Sequence, residues 1–261
     1  MLFKKLASLA LLAAAVTAQV PKGKAFDHIF IVFLENTDYD LANSDPTLRS
    51  LFSSGVALNN YHGVAHPSQP NYFAAIAGDY FGYRDDSAHN LGTSYKTVVD
   101  LLEEKGLTWR TYQENMPSVC YNRLYYRKHN PFISFDLISK NATRCKNVVP
   151  ATQLQTDLQS GYLPNYSFYN PQHQERWSRH HAPTTSWGLL LGDAVKNIKN
   201  TVDSTFYTQY SLISTVTSNW GLGNLGRNDI NKPLSNVFNF VAAALTGYPE
   251  CGRQPTPPPL N

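Results

Sequence analysis

Charge is scarce in this chain: Lys and Arg number 22 and Asp and Glu 19 in 261 residues, a charged fraction of 16% and a formal net charge of +3. That balance gives no reason to expect a nucleic-acid partner. Cysteine is sparser still, and Cys120, Cys145 and Cys251 allow one internal disulfide at most, with Cys120 and Cys145 closing the shorter loop. Long apolar runs are missing beyond the N-terminus, which excludes a transmembrane segment later in the chain. No Gly-x-Ser-x-Gly elbow occurs, and residues as close as His66 and Ser68 rarely meet in hydrogen-bond contact, which argues against a Ser-His-acid esterase.

What the chain does have begins with Lys4 and Lys5, an apolar run from Leu6 to Val16, and small residues through Ala18. This is the pattern of a secretory signal peptide over 1–18, so the mature chain is expected outside the cell, free or held at a cell wall. One domain is expected over 19–250, followed by a proline-rich tail over 251–261 that can form neither a helix nor an inner strand. Asn141-Ala-Thr143 and Asn165-Tyr-Ser167 are glycosylation sequons, which export would make usable.

His28 to Leu34 is a continuous β-rich apolar run and predicts a parallel-sheet strand buried on both faces, with Glu35 and Asn36 at its carboxyl end. Open α/β sheets put their ligands at that end. Asp45 to Leu51 predicts a short capped helix, Lys96 to Lys105 a helix stopped by Gly106, and Leu107 to Tyr112 a strand. Further helices are expected over 206–220 and 234–245. The order of strands and helices predicts an α/β fold.

Ala65-His-Pro-Ser-Gln-Pro-Asn-Tyr72 puts Ser68 ahead of Pro70 and of apolar residues at helical spacing. Ser68 is therefore expected at or near a helix N-cap, facing backbone N–H groups and the positive end of the helix dipole. The serine either caps the helix or attacks a phosphate held there; spacing alone leaves both open.

Taken in order, Glu35-Asn36, His66 to Tyr72, Tyr112 to Pro117, Lys128-His-Asn-Pro131 and Tyr207 to Arg227 resemble the secreted phosphoesterase family of fungal acid phosphatases and bacterial phospholipases C. The serine segment is also similar to that of the wider alkaline-phosphatase-like superfamily. The resemblance implies a three-layer α/β/α sandwich with a mostly parallel sheet. It implies hydrolysis of a small phosphate ester or phospholipid headgroup, with Ser68 as nucleophile and a divalent metal ion on Glu35 and Asn36. His66 and His129 would orient the phosphate or protonate the leaving group.

This chain departs from the family in two places. The family's Asn-Asp-Gly-His-Asp and Thr-Phe-Asp-Glu motifs, which supply further metal ligands, are absent; Gln172 to His181 stands where the first belongs. The segment 172–187 is read as aberrant, with a deletion near 187 that removes one core strand. Codons that spell Gln172 to His181, read one base later, can encode Asn-Asp-Gly-His-Asp, so an out-of-frame or mis-spliced stretch is expected. Gln209 stands where the family has histidine, and glutamine is a much poorer ligand for a transition metal and cannot titrate.

Overall fold

A computed structural model describes residues 21–34, 37, 39–123, 127–171 and 185–246. Glu35, Asn36, the segment 172–184, the 1–18 leader and the 251–261 tail lie outside the described residues. The strands are β1 (Ile29–Val32), β2 (Gly55–His62), β3 (Trp109–Gln113), β4 (Val148–Pro150), β5 (Tyr166–Asn170), β6 (Thr185–Leu191), β7 (Thr201–Asp203) and β8 (Tyr207–Thr208). The helices are α1 (Tyr39–Ser44), α2 (Pro46–Ser50), α3 (Ser68–Ala77), α4 (Val98–Glu104), α5 (Asp136–Ser139), α6 (Ala142–Cys145), α7 (Gln153–Gln159), α8 (Tyr210–Trp220) and α9 (Asn239–Thr246). The fold is α/β, with helices flanking a mostly parallel sheet in three layers.

The main sheet runs β1-β5-β3-β4 with every pair parallel, so all four carboxyl ends lie at one edge. A second sheet is built on β2, antiparallel to β6 and parallel to β7 and β8. Alternation along β3 shows how the layers form: Trp109 stacks on Phe132 on one face, while Arg110 and Tyr112 turn to the other and bond Asp157 of α7. On the first face Phe168 of β5 meets Phe33, Tyr72 and Phe132, which seats α3 on the sheet. α3 is buried nearly all round because α8 packs behind it. It stops at Gly78, whose φ of +71° suits glycine and where an added Cβ would lie 3.1 Å from Oδ1 of Asp229.

Two expectations about elements need correction. β1 is shorter than the run 28–34 and is not buried on both faces: Ile31 is packed, but Phe30, Val32 and Leu34 are 41%, 47% and 55% exposed. The reason is position. Among the described residues β1 is an edge strand with β5 on one side only, and α7 bonds the sheet at β3. The helix expected over 206–220 begins only at Tyr210, because Tyr207 and Thr208 pair with Tyr61 and His62 as β8. The helix expected over 234–245 is narrowed to α9.

Cys120 and Cys145 are joined, with Cα atoms 5.1 Å apart, and tie the loop after β3 to α6. The two sequons differ sharply. Asn141 is an exposed N-cap whose Oδ1 accepts from Thr143 and Arg144. Asn165 is buried, its Oδ1 accepting from Thr108 and its Nδ2 donating to the Asp27 carbonyl at 3.0 Å, so a sugar on Nδ2 would break the fold's own bond.

Candidate active site

Ser68 is the first helical residue of α3, next to the cap as expected; Pro67 is the cap residue and makes no side-chain cap bond. Pro70 brings no N–H to the first turn. The Gln69 N–H is taken by Oδ1 of Asp86 at 2.9 Å. Two of the positions in the first turn, 69 and 70, therefore offer no N–H to an anion.

The loop ahead of the serine is organised by Asn71. Its Oδ1 accepts from the backbone N–H of Val64 at 2.7 Å and of Ala65 at 3.2 Å, and its Nδ2 donates to the carbonyls of Ala65 and Pro67. One carboxamide thus folds 64–67 back onto the first turn of α3, and so fixes where Ser68 leaves the loop. His66 sits on this loop and is exposed.

His129 arrives from a different direction, on a 3-10 turn, Arg127–His129, that packs against α3. Its ring is buried, with its centroid 5.4 Å from that of Tyr72, one turn along from Ser68. Lys128 on the same turn places Nζ 3.6 Å from Oδ2 of Asp86, the carboxylate whose other oxygen holds Gln69. The fold therefore brings the His129 turn up to the Ser68 helix, while His66 stays at the surface.

Beside these residues lie the carboxyl ends of β1, β3 and β5. Gln113 and Asn170 are register partners joined by a 3.3 Å hydrogen bond, and the Glu114 N–H donates to the Asn170 carbonyl. Burial, aided by the charge of Glu114, raises the pKa of Tyr169 above its usual value. Among the described residues Gln69 is fully buried with neither side-chain polar atom hydrogen-bonded, and Oδ1 of Asn130 and of Asn170 also lack partners. A buried group left unpartnered costs about 1–3 kcal/mol.

No metal site is assembled by the described residues alone: no three His, Cys, Asp or Glu side chains converge among them. Glu35 and Asn36 fall outside that set, immediately after the carboxyl end of β1. His173, His180 and His181 are also outside it. Gln209 is buried ahead of α8 and accepts a hydrogen bond from the Tyr61 hydroxyl, whose pKa burial raises far above its ordinary value. Its place is thus taken up by a structural contact.

Sequence reasoning missed Asp86 and the role of Asn71. Asn71 belongs to the serine motif, and Asn is a residue that folds turns by bonding nearby backbone, so that signal was present. Asp86 is 18 residues from Ser68 and has no local signature.

Comparison with known proteins settles the kinship, since the model of the phosphoesterase family matches residues 41–198. The chain belongs to the phosphoesterase family. It is 34% identical to a probable acid phosphatase of Kluyveromyces lactis, over 85% of this chain and 64% of that protein. An acid phosphatase of Aspergillus fumigatus is also 34% identical, over 87% and 61%. A phosphatidylinositol-3-phosphatase of Mycobacterium tuberculosis is 24% identical, over 82% and 83%. The chain thus spans a little under two thirds of the length of the fungal relatives. The alignment with the Kluyveromyces protein covers 273 positions, more than the 261 residues of this chain. Since 85% of 261 is about 222, about 50 of those positions are filled by the relative alone.

Proposed function

We propose that this phosphoesterase is a secreted hydrolase of phosphate esters, of acid phosphatase type, in which Ser68 is the nucleophile. The observation that carries the reading is the placement of Ser68 on the first turn of α3, with the turn bearing Lys128 and His129 packed against the same helix. Similarity to proteins described as acid phosphatases, at 31–34% identity for four of them, gives it the substrate class.

In this reading Oγ of Ser68 loses its proton to solvent and bonds phosphorus as the ester P–O bond breaks, and the departing alkoxide takes a proton from a histidine. Water then attacks phosphorus and passes a proton to that histidine as the P–Oγ bond breaks, and Oγ takes a proton from solvent as phosphate leaves. His129 is the better placed of the two candidates, since it packs against the serine's helix while His66 is exposed. A divalent cation on Glu35 and Asn36 would lower the pKa of the serine hydroxyl and offset phosphoryl charge. Among the described residues no three His, Cys, Asp or Glu side chains form such a site by themselves.

The test is hydrolysis of p-nitrophenyl phosphate with and without chelator, in the wild type and in Ser68→Ala. Turnover that needs a divalent ion and disappears in Ser68→Ala is expected; turnover that survives Ser68→Ala sinks the assignment.

A second reading is favoured by the roughly 50 aligned positions that this chain lacks. In it the chain is a catalytically impaired remnant that keeps the serine half of the site and binds phosphorylated ligands without hydrolysing them. No turnover with any divalent metal supports it. A transcript over 171–187 whose next frame does not encode Asp-Gly-His-Asp removes its proposed origin.

A further inference from the structure

Ser68 stands between two peptide groups, and each of them is held by a side chain. On the amino side the carbonyl of Pro67 accepts from Nδ2 of Asn71 at 3.2 Å. On the carboxyl side the N–H of Gln69, which the helix itself leaves without a partner in its first turn, donates to Oδ1 of Asp86 at 2.9 Å. A peptide group is planar, so a residue has only two soft backbone dihedrals, and fixing the planes on either side of it fixes both. The Cα–Cβ bond of Ser68 is then aimed by its neighbours, and Oγ is left with the three staggered positions of one side-chain torsion.

Asn71 is wholly committed to the backbone. Oδ1 accepts from Val64 and Ala65 while Nδ2 donates to Ala65 and Pro67, which uses both lone pairs and both N–H groups of the carboxamide. It has no donor left for a substrate, so its effect on the chemistry passes through the loop and the turn it holds. Asp86 is no better suited to touch a phosphate, since a carboxylate and a phosphate repel.

We propose that Asn71 and Asp86 are positioning residues for Ser68, a two-sided clamp on the peptide groups before and after it that aims its hydroxyl. This rests on the reading of Ser68 as the nucleophile, and it adds what holds the nucleophile in line. The two halves have different origins: Asn71 lies one turn along α3, and Asp86 comes from a separate loop 18 residues after the serine.

The test is steady-state hydrolysis of p-nitrophenyl phosphate by the full chain, together with hydrogen exchange of the amides over 64–69, which needs no turnover. Asp86→Ala and Asn71→Ala are each expected to lower kcat about tenfold to a hundredfold with KM little changed, as a misaimed nucleophile does and a lost substrate contact does not. Asp86→Asn keeps a carbonyl oxygen for the Gln69 N–H and is expected to recover most of kcat. Exchange at Gln69 should quicken in Asp86→Ala but not in Asp86→Asn, and exchange at Val64 and Ala65 should quicken in Asn71→Ala. Melting temperatures separate misfolding from misaiming; if Asn71→Ala does not fold, the two Asp86 variants still decide the matter.

Turnover that requires Ser68 yet keeps its wild-type kcat in Asp86→Ala overturns the proposal. So does an Asp86→Asn no faster than Asp86→Ala, because the reaction would then need the charge and not the hydrogen bond. Failure of the nucleophile reading looks different: turnover survives Ser68→Ala, or the wild type has none, and this inference falls with it.

Discussion

At the scale of single residues, carboxylates in this protein are defined by what they bond. Asp157 accepts from Arg110 at 2.6 Å, from the Tyr112 hydroxyl at 2.8 Å and from Gln153 at 3.0 Å. Burial pushes its pKa up, but the three hydrogen bonds and the Arg110 charge outweigh it and hold the carboxyl below its usual range. A folded pKa below the unfolded one gives stability that is complete above the unfolded carboxylate value, about 3.9, and is lost as pH falls through the folded value. Asp157→Asn is therefore expected to cost about 1–3 kcal/mol near neutrality. Its melting-temperature deficit should close in strongly acidic buffer; a deficit independent of pH contradicts the account. Asp86 is the second case, since what it touches is decided by a chain reversal of 18 residues that no local pattern encodes.

At the scale of elements, periodicity predicted well where an element meets one environment along its length. α4 is an example: Thr97 and Asp100 make a capping box at its start, and Gly106, φ +75°, lies just past its end. β1 is the opposite case. Its run of apolar residues reads as buried on both faces, yet Phe30 and Val32 are open because burial depends on which strands and helices lie beside it. The difference can be measured by charge insertion. Val32→Lys is expected to change stability by less than about 0.5 kcal/mol and to reduce self-association, since a lysine blunts an exposed edge. Ile31→Lys, one residue away on the packed face and 7% exposed, is expected to abolish cooperative melting. Equal effects of the two on thermal unfolding would mean that β1 is covered on both faces after all.

At the scale of the whole molecule, the main sheet carries a liability. Unpaired strand edges and exposed apolar side chains are templates for association, and a domain has a margin of only about 5–15 kcal/mol. The chain is accordingly expected to express poorly or to form soluble aggregates in size-exclusion chromatography; a monodisperse monomer that melts cooperatively contradicts this. The Kluyveromyces relative fills about 50 aligned positions that this chain lacks.

The sequence by itself determined the fold class, the family and the serine segment. Hydrophobic periodicity, helix-stop glycines and ordered short motifs are all local quantities, and the α/β order of elements follows from them. Local spacing could equally pick out His66 and His129 as candidates, because both stand in motifs. Only the tertiary structure separated them, by packing the His129 turn on the helix that begins at Ser68 and leaving His66 at the surface. It also decided that Asp86 accepts from the first turn of that helix beside Lys128, that Asn165 is bound inside the fold, and that β1 lies at an edge among the described residues. Each of these depends on which distant segments share a neighbourhood. That is set by the packing of the sheet against its helices, which no short window of sequence contains.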